Sequence, residues 1–527
     1  MDSEFSAGNF AIVIEAEVHQ RLRALLREQG EPQWPHHLTM ARLVARALRL
    51  GRSALIQTGG ASAYRGDHRL SYLMSALIWP EPAVLVLPQS LHGRLLQADL
   101  PNLLHRLPMV KPVQSGQRWP SPDYRGLLIT DPDSWFQSKL EGQGHFPAAV
   151  ATLIDGADQV ESWVRSHLTR SLDETDWAAL MLAYPSQQAS IRDLRVRITH
   201  ASFQHPVNPY DCYLLDTPEQ DLLQTLYGLL SDTPWQQDAL PPNWRRFWSQ
   251  LNQPDALTWV QVDRQQGRFT LHCAPADIAP RLMPIWDQQP VVLMGAAVDL
   301  DSEAAAYRQQ LGLGDLTCLK FAPDRHHDSI QLYLPDRLPM PNTRHFQTAA
   351  LKEIRKLLQR PVARQHLTVV LVGDTPLKGQ IGSILAAEFG SRVRVEALTL
   401  AENGILVCSW AYWQRHQLSL PCPHQLIITT LPLPSLENPL VAGRVAHYKR
   451  HRQDWFRLYL LPAAIRQLQL AIAPVQVSQG HVALLDNRVS YRSYGRQILS
   501  ALSPAACSSY LDASLDLPDI LGDPPLS

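Results

Sequence analysis

Chemistry in a folded chain needs suitable side chains at suitable spacing, and four short stretches of this sequence qualify for inspection. Thr58, Gly59 and Gly60, followed by Arg65, Gly66 and Arg69, join an apolar run, Ser53 to Thr58, to an amphipathic one carrying Leu70, Leu73, Met74 and Leu77. A glycine-rich turn at a helix start presents backbone N–H groups to an anion; the same residues also make an ordinary structural turn. Tyr448, Lys449, Arg450, Arg452 and Trp455 lie in a longer run from Arg444 to Arg457 that interleaves cations with aromatics. Backbone tracking and base stacking on single-stranded nucleic acid need that mixture, which equally describes a helix with a solvated basic face. Trp244-Arg245-Arg246-Phe247-Trp248 has the same two readings with fewer charges. His326-His327-Asp328 suggests a metal only superficially, because adjacent residues of a strand point to opposite faces. No metal is expected there.

The elements that must hold these residues follow a simple rhythm. Short apolar runs, Ala83 to Leu87, Gly126 to Thr130 and Ala151 to Asp155, alternate with helical periodicity up to Leu168. Such alternation predicts a parallel sheet covered on both faces. The rhythm fails from Ser171, where tryptophans (Trp235, Trp244, Trp248, Trp259) and prolines crowd, and resumes at Val291 to Met294, Leu367 to Val372, Val393 to Ala397, Ile405 to Val407, Leu426 to Thr429 and Val482 to Asp486. The expected class is α/β, with two doubly wound parallel-sheet domains over 1–170 and 291–507, a mainly helical insertion over 171–290 and a loose tail over 508–527.

Composition narrows the function. Forty-eight Lys plus Arg against 49 Asp plus Glu leave a formal charge of -1, so no whole-molecule field attracts nucleic acid or anionic membrane. Binding to nucleic acid would need a local groove. The six cysteines contain no Cys-x-x-Cys, which gives zinc ribbons no support. No signal-peptide pattern and no apolar run near the roughly 20 residues of a membrane span are read. A cytoplasmic protein without a membrane partner is the expectation.

Longer strings carry a resemblance. Ile427 to Pro434 followed by Glu437-Asn438-Pro439-Leu440, then Tyr459-Leu-Leu-Pro-Ala-Ala-Ile465, then Val482-Ala-Leu-Leu-Asp-Asn-Arg488 and Tyr494-Gly495 resemble, in order and spacing, the second motor domain of DinG/XPD-like DNA helicases of superfamily two. Trp259 to Val262, Phe269 to Pro275, Ile278 to Pro280, Ile330 to Pro335 and Leu338 to Asn342 resemble the same family further upstream. The resemblance runs from about residue 35 to about residue 505.

The resemblance implies two helicase motor domains, ATP and magnesium as cofactors, and single-stranded DNA as a partner. It also assigns sites. The nucleotide loop falls on residues 56–69 (Thr58, Gly59, Gly60, Arg65, Gly66, Arg69), but either Tyr64 or His68 stands where the family has lysine. The second motif falls on 155–158: Asp155 is its magnesium-type ligand, Gly156 replaces the glutamate, and Asp158 reads as a cap for the helix from Val160. The third motif reads Gly295-Ala296-Ala297 instead of Ser-Ala-Thr. The last has Leu470, Pro474 and Val477 in place of a glutamine and two arginines, with Pro474 expected to end its helix early. Loss of a general base alone costs about 10²- to 10⁴-fold in rate. No cysteine lies between Thr58 and Asp155, so the iron–sulfur cluster of some family members is not expected. The sequence therefore predicts a nucleic-acid-binding or scaffolding protein on a helicase frame. A working ATPase with a rebuilt site and a protein–protein adaptor are the alternatives.

Overall fold

The structure is a computed structural model and describes residues 4–30, 34–107, 111–231, 240–325 and 327–510. Trp235, His326 and the tail beyond Tyr510 lie outside the described residues.

The apolar runs form two seven-stranded sheets, each parallel throughout. In the first sheet the strand order is Thr317–Lys320, Ala54–Gln57, Val291–Gly295, Ala151–Asp155, Ala83–Val86, Leu127–Thr130 and Val113–Ser115. Its central strands are buried along their length, as continuous apolar runs require when helices cover both faces. Helices Glu4–Gln29, His37–Leu50 and Arg69–Ile78 pack on one face, and helices Pro132–Glu141, Val160–Leu168 and Ala279–Gln288 on the other. The second sheet runs Val393–Val395, Ile405–Ser409, Thr368–Val372, Gln425–Ile428, His481–Leu484, Ile330–Tyr333 and Ala505–Ser508. Ser508, expected to open the loose tail, instead ends this edge strand, paired with Tyr333.

One expectation needs correction, and the mainly helical insertion gains a sheet. Val291–Gly295 and Thr317–Lys320 belong to the first sheet, not to the second domain: Val292 to Gly295 lie beside Ala54 to Gln57, and Ala54 to Gln57 beside Thr317 to Lys320. An apolar run identifies a buried strand but not the sheet that it joins. The intervening segment does carry helices, Glu174–Ala183, Gln188–Gln204, Thr217–Ser231 and Pro242–Leu251, but they pack on an antiparallel sheet absent from the helical reading. That sheet is ordered Arg170–Leu172, Arg268–Pro275, Ala256–Asp263 and Cys212–Leu214.

One described helix, Phe456–Val477 with its π-helical first turn, is long and apolar enough to cross a membrane, yet 61% of its most apolar window is buried inside the protein. Leu461, Ile465, Leu468 and Ile472 fill the core of the second domain. Pro474 does not end the helix early; Leu461–Val477 runs through it. Proline removes one N–H and crowds the preceding turn, a defect tolerated here in the last turn, where Gly480 N–H reaches back to Val475 O.

Candidate nucleotide cleft and nucleic-acid surface

Parallel register gathers the chemistry at one edge. Gln57 sits opposite Gly295 and Met294 opposite Asp155, so the glycine-rich loop, Asp155 and Gly295 all leave the carboxyl ends of neighbouring strands, where open α/β sheets bind ligands. Helix Leu461–Val477 of the second domain faces them across a cleft of about 920 Å³ whose lining includes Tyr64, His68, Arg69, Asp155, Asp158 and Arg466.

The loop donates inward. Thr58 N–H bonds Gly295 O and Gly59 N–H bonds Ala296 O, each at 2.9 Å. Gly60 opens the short helix Gly60–Arg65, and a methyl group there would come within 3.1 Å of Gln469 O and 3.3 Å of the Ala473 Cβ. The second domain thus rests on the helix start that an anion would approach. Arg65 is held by Asp67 at 2.6 Å and Asp328 at 3.7 Å, while Gly66 supplies the left-handed turn (φ +84°) that ends this helix. Tyr64 reaches the second domain, its hydroxyl donating to Gln417 O at 3.4 Å.

Asp155 is enclosed. His68 Nε2 lies 3.1 Å from Oδ1, and Arg69 Nε and the Tyr72 hydroxyl lie 3.4 and 2.8 Å from Oδ2. Burial would raise its pKa, but the charge and hydrogen bond of His68, followed by Arg69 and Tyr72, outweigh burial and hold the carboxyl at about 2. His68 and Arg69 therefore supply, from within the chain, donors on both oxygens of the carboxylate. Neither Tyr72 nor this saturation was legible from the motif, because all three donors come from a loop and helix more than 80 positions away.

The residues that follow Asp155 are closely held. Gly156 has φ +117°, and an added Cβ would lie 2.6 Å from the Trp163 ring. Asp158 does not cap the following helix, whose N-cap is Gln159; it lies in a 3-10 turn and its Oδ1 accepts the Ala296 N–H at 3.2 Å. Burial raises its pKa. Glu161 in turn binds Arg165 at 2.8 Å and, across the domain boundary, Arg444 at 3.5 Å and Arg466 at 3.7 Å. Burial opposes its ionisation, yet Arg165, Arg466 and Arg444 together hold it at about 2. Arg466 was missed by sequence because it stands four residues before Leu470, off the family's arginine positions.

The basic–aromatic run divides. Asn438 caps helix Pro439–Arg450, which docks through Gly443 against Leu257 and Leu214 of the antiparallel sheet. Lys449, Arg450 and Arg452 are exposed. Tyr448 is half-buried and stacks on Tyr459 (centroids 6.0 Å apart), while Trp455 carries the Lys449 ammonium 5.4 Å from its ring centre. Arg444 belongs to the Glu161 network instead. In the second candidate, Trp244, Phe247 and Trp248 are core residues beside Trp177, leaving only Arg245 and Arg246 outside.

Over 90% of the chain and 99% of its own length, a solved XPD helicase superposes with a TM-score of 0.59 at 12% identity. An ATP-dependent DNA helicase of Escherichia coli, YoaA, is 23% identical over 283 residues. The chain is DinG/XPD-like. The DinG/XPD-like frame extends to the Xpd4 structure of S. tokodaii, with a TM-score of 0.57 and 90% of the chain covered at 12% identity. YoaA of Haemophilus influenzae is 21% identical over 273 residues. These matches take in 49% and 46% of this chain but only 42% and 40% of the two relatives. No family model matches the chain.

Proposed function

We propose that this DinG/XPD-like chain binds single-stranded nucleic acid as a scaffold and does not turn over ATP. The observation that carries the reading is the enclosure of Asp155, whose two oxygens already face His68, Arg69 and Tyr72. Magnesium at that carboxylate would have to displace an arginine and a hydroxyl from a site in which both are buried. Such a displacement leaves an unpaired buried charge, at a cost of several kcal/mol. The inward-bonded Thr58 and Gly59 N–H groups, the covered start of the Gly60 helix and the absence of a lysine from the loop weigh the same way. A magnesium nucleotide is therefore a poor fit for the residues present. Binding of nucleic acid is supported by the exposed Lys449, Arg450 and Arg452, with the Lys449 ammonium over the Trp455 ring and Tyr448 close by in sequence, stacked on Tyr459.

Two measurements test this. ATP turnover by the purified chain, with and without single-stranded DNA, should be absent; turnover that Asp155→Ala abolishes at a temperature where circular dichroism shows the variant still folded would establish the rebuilt ATPase instead, the reading favoured by the open cleft beside Arg466. Fluorescence anisotropy with labelled single-stranded DNA should give salt-dependent binding. Its log–log slope should fall by about 2 when Lys449, Arg450 and Arg452 are all changed to Gln, since single strands release about 0.7 counterion per neutralised phosphate. Salt-insensitive or absent binding would favour the adaptor reading.

A further inference from the structure

Arg69 borders two spaces at once. Its Nε faces Asp155 beside the cleft at 3.4 Å, and the residue also lines a second cavity of about 380 Å³, set among helices Glu4–Gln29, His37–Leu50 and Arg69–Ile78 and the π-helical turn Leu95–Asp99. That volume falls within the roughly 300–1,000 Å³ typical of small-molecule sites. One wall is aliphatic, built from Leu25, Leu26, Leu70, Leu73 and Leu103. An occupant needs an apolar body to cover it.

The polar lining carries both signs of charge. Arg65 is spent on Asp67, 2.6 Å away. The Arg69 side chain, 9% exposed, folds back over Gly66, where an added Cβ would lie 2.5 Å from Nη1. Among the described residues, nothing hydrogen-bonds its two terminal nitrogens. Asp99 lines the same cavity, and its nearest described cation, Arg94, stops 4.0 Å short of it. Burial would lower the Arg69 pKa, but Asp155, Tyr72 and Asp99 outweigh burial and raise it. Arg69 and Asp99 therefore act on each other across the cavity without a hydrogen bond between them. His37 adds no charge at neutral pH: burial, then His68 and His36, hold it at about 4, with Nδ1 3.1 Å from the Ser71 hydroxyl.

A buried guanidinium and a carboxylate that share a cavity but no hydrogen bond leave a place for a molecule bearing both complementary charges. We propose that this cavity binds a free α-amino acid with an apolar side chain, its carboxylate on the Arg69 terminal nitrogens, its ammonium on Asp99 and its side chain against the five leucines. The guanidinium fork matches a carboxylate in shape as well as charge. A simple anion, whether phosphate or a fatty acid, would leave Asp99 unpaired, and a simple amine would leave Arg69 so; closing either charge off from water without a partner is costly.

The experiment uses the full chain and isothermal titration calorimetry at neutral pH, with L-leucine as the probe at up to roughly 10 mM. The comparison ligands are isocaproate, which is leucine without its ammonium, isoamylamine, which is leucine without its carboxylate, and glycine, which lacks the apolar body. L-Leucine should bind more tightly than each of them, by at least about 10-fold over the first two, the worth of one hydrogen bond to a charged group. Asp99→Asn leaves the Asp155 enclosure intact and should weaken leucine by a similar factor, with the circular dichroism spectrum unchanged. Absence of leucine binding overturns the proposal, as does equal binding of isocaproate, isoamylamine or glycine. Leucine binding that Asp99→Asn leaves unaltered places the ligand elsewhere and equally overturns it. Should that variant fail to fold, the ligand series on the wild-type chain still decides.

Discussion

In a working motor, an aspartate at the end of the second-motif strand serves magnesium, and its amide variant should fold normally while losing activity. Here Asp155→Asn should do the reverse: it should damage the fold. The carboxylate and its Arg69 partner are 8% and 9% exposed. Removing the charge leaves a buried guanidinium facing an amide, a change that costs about 3–5 kcal/mol when a buried pair is broken. At about 2–4 °C per kcal/mol for a domain of roughly this size, the melting temperature should fall by roughly 6–20 °C. Linkage gives an independent lower figure. The Asp155 pKa falls from 3.8 to about 2 on folding, worth about 2 kcal/mol; the shortfall against truncation is the stranded Arg69. Because the folded pKa is depressed, this stability is present above the ordinary carboxylate range and is lost as pH falls from about 4 to about 2. Thermal melts followed by circular dichroism at pH 7 and at pH 3 decide the matter. The wild type should lose more stability than Asp155→Asn on acidification, while both lose alike the share due to Glu161, which titrates in the same window. A variant that melts with the wild type at pH 7 would refute the cage as a structural element and return Asp155 to the role of an available metal ligand.

Two further perturbations address the boundary between the α/β domains. Glu161→Gln leaves Arg165, Arg444 and Arg466 facing one another without their common acid; limited proteolysis should cut the linkers between the domains several-fold faster, and a second change, Arg466→Gln, should restore part of the resistance. Gly60→Val places branched carbon against Gln469 O and Ala473, overpacking that costs about 1–3 kcal/mol, seen as a fall of a few degrees in melting temperature with secondary structure retained.

How far the sequence could be read depended on whether the signal was local. Strands such as Ala151–Asp155 and Thr368–Val372 stood out because burial on both faces leaves a continuous apolar run. The order of those strands was not local, so the run at Val291 was credited to the wrong sheet and Thr317–Lys320 was included unnoticed in the second domain. The hairpin Ala256–Asp263 and Arg268–Pro275 was noticed only as a family string, since one face of an antiparallel sheet packs on helices and its alternation is diluted by Trp259 and His272. At the site, the departures from the resembled motifs were visible one by one. The contacts were not: the Asp155 enclosure, the Asp158 bond to Ala296 and the reach of Arg466 to Glu161 each join residues brought together only by the sheet and the closure of the two domains.

The backbone at Gly156 sets what this position can hold. It sits at φ +117° with the Trp163 ring in the space that a side chain would need. Any side chain introduced here by a single substitution meets two obstacles at once, a left-handed backbone and an indole face, so the tryptophan and the local backbone would have to change together with it.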